Sequence, residues 1–218
     1  MSIARTATVT LIERSGVVAI IRMKDGSKLP LVVDALIAGG VRTLEITMTV
    51  PGAVELIRKI APTLPADFRL GAGTVTDAKT VDLVVDAGAT FVVSPVFRRE
   101  VLAACQRRDV PAMPGCFSPT EILDAWEAGA DVVKVFPATA LGPGFFKDVR
   151  GPLPHVKMMP TGGVTLDNAG TWIEAGAVAV GVGTALVDAK TVDAGDFALI
   201  TERAKRIVAN VQSVRVTR

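Results

Sequence analysis

Residues 131–138 read DVVKVFPA, and a lysine interrupts the apolar, β-branched composition of a strand buried on both faces. An ammonium held there loses its hydration, so Lys134 needs a partner, a wet cavity or a task as a neutral amine. A desolvated amine of lowered pKa attacks carbonyl carbons and forms Schiff bases. Glu45, in TLEITMT, is a second charged residue in an apolar strand, with Thr47 on the same side by alternation. A carboxyl group in a partly apolar site has its pKa raised toward the range useful for moving protons, which Schiff-base chemistry requires. The plainer alternative is a structural ion pair between the two, an arrangement often no more stabilising than apolar packing. The other lysines stand in polar surroundings or, like Lys147 and Lys157, near the loop and helix that precede the next strand.

Two glycine turns suit an anion. TGG at 161–163 and GVGT at 181–184 let backbone N–H groups approach closely, and TALVDA after Gly183 predicts a short helix N-terminus there. Together they imply a phosphate-bearing substrate. His155 is the only histidine and precedes a strand, on the rim away from this chemistry. Clustered metal ligands and Ser-His-Asp or Cys-His arrangements are therefore not expected, and neither is an organic cofactor. Cys116 lies near the chemical rim without a base and reads as a packing residue; Cys105 reads as helical core.

The elements that must position these residues repeat one pattern: an amphipathic stretch, Ala-Gly or Gly-Gly, then an apolar burst. It recurs as DALIAGGVRTLEIT, DLVVDAGATFVVSP, LDAWEAGADVVKVFP and WIEAGAVAVGVG. The glycine falls where a helix C-terminus takes a left-handed residue, and the burst is the next strand. With VVAIIR, FRLGAGT, VPAMPG and VKMMPTGG the pattern predicts about eight strands alternating with helices. The expected fold is α/β: a (β/α)8 TIM barrel in a single domain, with an extra N-terminal helix in 1–16, a core over 17–190 and a terminal helix in 191–218. A doubly wound open sheet is the competitor, but no GxGxxG follows the first strand. In such a barrel chemistry collects at the C-terminal strand ends, which carry Arg22, Glu45, Thr74, Ser94–Pro95, Pro114-Gly115-Cys116, Lys134 and the two glycine turns.

Bulk properties narrow the class. The 218 residues carry a formal charge of +2 without a basic run, so no nucleic-acid partner is expected. Two cysteines make no disulfide framework, and no stretch reads as a secretory leader or membrane span. A cytoplasmic protein with a small-molecule substrate is the expectation.

The blocks AGGVRTLEIT, GAGTV, VVSP, MPGCFSPTE, VVKVFPA, PTGGV and GVGTALV occur in order over about residues 10–190. In them the chain resembles the class I 2-keto-3-deoxy-6-phosphogluconate aldolases, a group that includes phosphogalactonate and 4-hydroxy-2-oxoglutarate aldolases. The resemblance implies a barrel assembled as a homotrimer that cleaves a phosphorylated keto acid without a cofactor or metal. It further implies Lys134 as the Schiff-base lysine, Glu45 as general acid/base, and Thr74, Pro95 and Thr161 around the pyruvyl group, with Phe136 expected as a further substrate-binding residue. Gly162, Gly163, Gly183 and Thr184 match the phosphate cradle. Many members read LEVTLRT, with an arginine that grips the substrate carboxylate; Thr49 stands at that place here, and Arg22 is the best cation to replace it. The gluconate epimer, the galactonate epimer and the shorter unphosphorylated keto acid all stay open as substrates. Outside the resemblance stand a phosphosugar isomerase or epimerase and a non-catalytic phosphate-ligand binder.

Overall fold

The structure, a computed structural model, describes residues 2–215. Met1 and the last three residues of the expected terminal segment lie outside the described residues. Helix α1 (Ile3–Ser15) precedes strand β1 (Val17–Ile21). Strands and helices then alternate: α2 (Leu29–Ala38), β2 (Thr43–Thr47), α3 (Ala53–Ile60), β3 (Arg69–Gly73), α4 (Ala78–Asp86), β4 (Val92–Val93), α5 (Arg99–Arg107). They continue through β5 (Ala112–Met113), β6 (Gly115–Cys116), α6 (Pro119–Glu127), β7 (Val133–Val135), α7 (Gly142–Arg150), β8 (Met158–Pro160), α8 (Ala169–Glu174) and β9 (Val180–Val182). Helices α9 (Ala189–Ala194) and α10 (Phe197–Ser213) end the chain.

Every strand pairing is parallel, and the sheet curls in the manner of a TIM barrel. One set runs β5-β4-β3-β2-β1-β9 and the other β6-β7-β8, with a bridge between Thr161 and Gly181 where β8 meets β9. The fifth expected strand is divided into β5 and β6 at Pro114, which has no N–H to give the ladder. Its carbonyl still accepts from Lys134 N at 2.9 Å. Lys134 therefore sits on β7 in this numbering.

The repeated Ala-Gly and Gly-Gly signals fall where expected. Gly40, Gly88, Gly129 and Gly176 follow helices with φ between +91° and +108°, a backbone state that costs glycine little. The helix predicted just after Gly183 is instead a single turn, in which Leu186 N and Val187 N donate to Gly183 O. Asp188 caps the helix that does form, its carboxylate accepting from Thr191 N.

Alternation along the strands makes two apolar clusters. Val17, Ala19, Ile21, Leu44 and Ile46 face the helices. Val18, Phe91, Val93, Met113, Val132 and Met159 face inward, with Ile12 of α1 added to them at the N-terminal end. Arg5 of α1 holds that end, donating through Nε and Nη2 to Asp131 at 3.0 and 2.8 Å. Among the described residues no helix is long and apolar enough to cross a membrane.

Candidate active site

Glu45 alternates with Leu44 and Ile46, which face the helices, so its side chain points into the curl. Lys134 lies two residues beyond the inward-facing Val132 and points the same way. Both are buried, at 1% and 3% exposure. Space for them comes from small residues. A Cβ on Gly73 would stand 2.5 Å from Glu45 Oε1, and one on Gly181 would stand 2.5 Å from Thr161 Oγ1. Gly115 is opposite Lys134 in register and lies against the backbone carbonyl of Pro95. Glycines on three strands thus keep open the upper layer of the interior that larger side chains fill below.

The electrostatics follow from burial. Desolvation pushes the Glu45 carboxyl above its ordinary pKa, while the positive charges of Lys134 and Arg22 oppose the rise. Desolvation pushes the Lys134 amine below its ordinary value; Glu45 opposes the fall and Arg22 adds to it. No direct ion pair joins Lys134 to Glu45. Both Glu45 carboxyl oxygens and Thr161 Oγ1 are buried without a hydrogen-bond partner. Buried polar atoms of this kind cost stability unless something completes them. The Lys134 Nζ also lies 5.0 Å from the centroid of the half-buried Phe136 ring, within reach of its π face. The plainer expectation, an ion pair that serves packing, does not match this arrangement.

The remaining predicted positions surround the pair. Thr74 follows Gly73, half-buried, at φ +60°, a strained state for a β-branched residue. Gly162 and Gly163 have φ of +92° and +74° and lie beneath Thr139, whose Oγ1 would be 3.0 Å from a Cβ on Gly162. Gly183 is half-buried and Thr184 exposed, in the turn after β9. Arg22 is exposed at the end of β1. Thr49 is also exposed, and its Oγ1 lies 2.7 Å from Thr47 Oγ1. Burial pushes the Cys105 and Cys116 thiols up to about 12, so neither is a nucleophile at neutral pH. His155 is exposed and packs edge-on against Trp126.

Sequence reading missed Gly73 and Thr139, whose place in the site depends on packing across strands and loops. The alternation of small residues in GAG was a signal for the first, since it marks a strand making room inside a curled sheet. A groove of about 510 Å³ runs along α1 beside Ile3 and Leu11 and is not lined by Lys134 or Glu45.

Comparison with known proteins fits this geometry. The profile of the KDPG and KHG aldolases matches residues 9–203. A 2-dehydro-3-deoxy-phosphogluconate aldolase from Pseudoalteromonas atlantica is 36% identical over 91% of this chain and 92% of its own. A KHG/KDPG aldolase from Escherichia coli is 33% identical over 94% and 96%. A solved KDPG aldolase from Legionella pneumophila, with pyruvate captured as a covalent carbinolamine intermediate, matches with a TM-score of 0.85 at 32% identity. That match covers 91% of this chain and 97% of the other. The chain with its buried lysine and glutamate belongs to the KDPG and KHG aldolase family.

Proposed function

We propose that the protein cleaves 2-keto-3-deoxy-6-phosphogluconate reversibly to pyruvate and glyceraldehyde 3-phosphate through a Schiff base on Lys134. One observation carries the reading: a buried amine of lowered pKa shares an interior with a buried carboxyl group whose oxygens have no partner. The neutral amine attacks the C2 ketone, and Glu45 relays the protons that release water. The cationic imine then draws the electrons of the C3–C4 bond, while Glu45, through a water, takes the C4 hydroxyl proton. Glyceraldehyde 3-phosphate leaves. The enamine is protonated at C3, and hydrolysis of the imine frees pyruvate and restores the amine. The nearby Glu45 charge and the Phe136 ring favour the cationic imine over the neutral one.

The other assignments support the same reading. Thr74, Pro95 and Thr161 surround the pyruvyl group, and Gly162, Gly163, Gly183 and Thr184 offer their backbone and hydroxyl to the phosphate. A closed, single-domain (β/α)8 barrel is the architecture we infer, supported by the Thr161–Gly181 bridge and the Lys134 N to Pro114 O bond across the divided strand. A homotrimer, as the family resemblance implies, working in the cytoplasm completes it. Pyruvate release tests the substrate: kcat/KM should be highest for the gluconate epimer. A higher value for the galactonate epimer or for 4-hydroxy-2-oxoglutarate would move the assignment within the family. Turnover of a phosphosugar without carbon–carbon cleavage would favour an isomerase.

A further inference from the structure

The hydrogen bonds of β7 show how Lys134 is aimed. From Val133 onward the strand alternates between its neighbours. Val133 N donates to Lys157 O at 2.8 Å on one side; Lys134 N and Phe136 N donate to Pro114 O and Cys116 O on the other, both at 2.9 Å. Continued backward, that alternation would turn Asp131 N toward the Lys157 side, yet it donates to Ala112 O at 3.1 Å. The chain thus takes three residue steps, 131 to 134, where its neighbour takes two, 112 to 114, the count of a β-bulge. Bulges re-aim side chains, and a slip of one residue would turn Lys134 from the interior to the helices.

The Asp131 side chain holds the extra residue in place. Its Oδ2 accepts from Ala112 N and from Arg5 Nη2, both at 2.8 Å, and its Oδ1 accepts from Arg5 Nε at 3.0 Å. The Arg5 and Asp131 side chains are 9% and 4% exposed, so the pair is shielded from water. Asp109, a second acid beside Arg5, stands 4.0 Å from Nη1 and accepts from Ser2 N. Helix α1 meets the same strand again through Ile12, packed in one inward cluster with Val132. Its far end is tied down by Arg215, just past α10, which donates to Glu13 O and Arg14 O at 2.6 and 2.8 Å. Helix α1 is therefore a strut between the C-terminal helix and the foot of the strand that bears the lysine.

We propose that Arg5 and Asp131 are positioning residues for the aldol reaction: their bidentate pair pins the bulge below Lys134 and so sets the height and direction of its amine against Glu45. This rests on the aldolase reading above. A carboxylate suits the task because it accepts from the guanidinium fork and from a backbone N–H at once.

The experiment uses the full-length protein with Arg5→Lys and with the paired change Arg5→Met/Asp131→Asn, each assayed where denaturant melts show it folded. The paired change leaves no buried charge without its partner and keeps an acceptor for Ala112 N, so its stability should stay near the parent's. It should lower kcat about 10-fold, with KM for the phosphorylated six-carbon acid changed by less than about twofold. Arg5→Lys, which keeps the charge but not the fork, should fall between it and the parent. Borohydride trapping with pyruvate alone should slow likewise, and its pH profile should move to higher pH, because an amine displaced from its dry site regains its ordinary pKa. Glu45, Arg22 and Phe136 are unaltered in both variants, so that shift reports the place of the amine. If the paired variant does not fold, Arg5→Lys is judged by the same readings. A kcat equal to the parent's in the folded variants, a loss confined to KM, or an unshifted trapping profile would overturn the proposal. Absence of any pyruvate adduct in the unaltered protein would overturn the aldolase reading itself.

Discussion

Gly73→Ala should silence the enzyme while leaving the fold in place. Gly73 has no positive φ, so alanine suits its backbone, and the whole effect must come from the added methyl group. That methyl would stand 2.5 Å from Glu45 Oε1 and 2.8 Å from its Cδ, about 0.9 Å short of the 3.4 Å at which ordinary contact begins. Glu45 must swing away by a comparable distance. A displacement of about 1 Å in a catalytic group costs on the order of 100-fold in rate, or about 2.7 kcal/mol of transition-state stabilisation. Overpacking should destabilise the fold by about 1–3 kcal/mol. The control is Gly71→Ala, whose methyl meets the Phe91 ring and should cost comparable stability with little kinetic effect. Pyruvate release gives kcat/KM, and denaturant melts give the stability of both variants. The reasoning is refuted if Gly73→Ala keeps kcat/KM within a fewfold of the parent, or if Gly71→Ala loses as much.

Glu45→Gln should abolish turnover yet stabilise the fold by on the order of 1 kcal/mol at neutral pH, as replacing a buried charge often does. The sign follows from the raised pKa. Above 4.5 the unfolded chain releases the Glu45 proton while the folded chain retains it, so the wild type loses stability as pH rises through the folded pKa. The variant's advantage should therefore be absent below pH 4.5 and grow above it; an advantage greatest in acid contradicts the assignment. Thr161→Val removes a buried hydroxyl without a partner, so melting should show equal or greater stability, while kcat/KM falls at least about 10-fold if substrate completes that hydroxyl. A destabilised variant of full activity would show that the hydroxyl serves the fold.

Lys134 and Glu45 were legible in the sequence because each breaks an apolar strand, where a charge demands a reason. The helix ends were legible because Ala-Gly before an apolar burst has one main conformational meaning. The break at Pro114 was visible as a residue type but not as a consequence, since only the neighbouring strand decides whether its missing N–H matters. The helix misplaced after Gly183 shows the limit of local pattern: Ala185, Leu186 and Val187 fit a helix, but the strongest cap, Asp188, starts it later. Arg22 was found as a strand-end cation, yet its lean toward Gly183 depends on packing between loops distant in sequence. The glycines of GAG were read only as the end of a strand, whereas Gly73 makes room for Glu45 across the sheet.

The central claim is that Lys134 forms the covalent bond to the substrate. Incubation with pyruvate and borohydride, followed by intact mass and peptide mapping, should show one reduced pyruvyl adduct, on the peptide containing Lys134, and none in Lys134→Ala. An adduct that persists in Lys134→Ala, or no adduct in the unaltered protein, would contradict it.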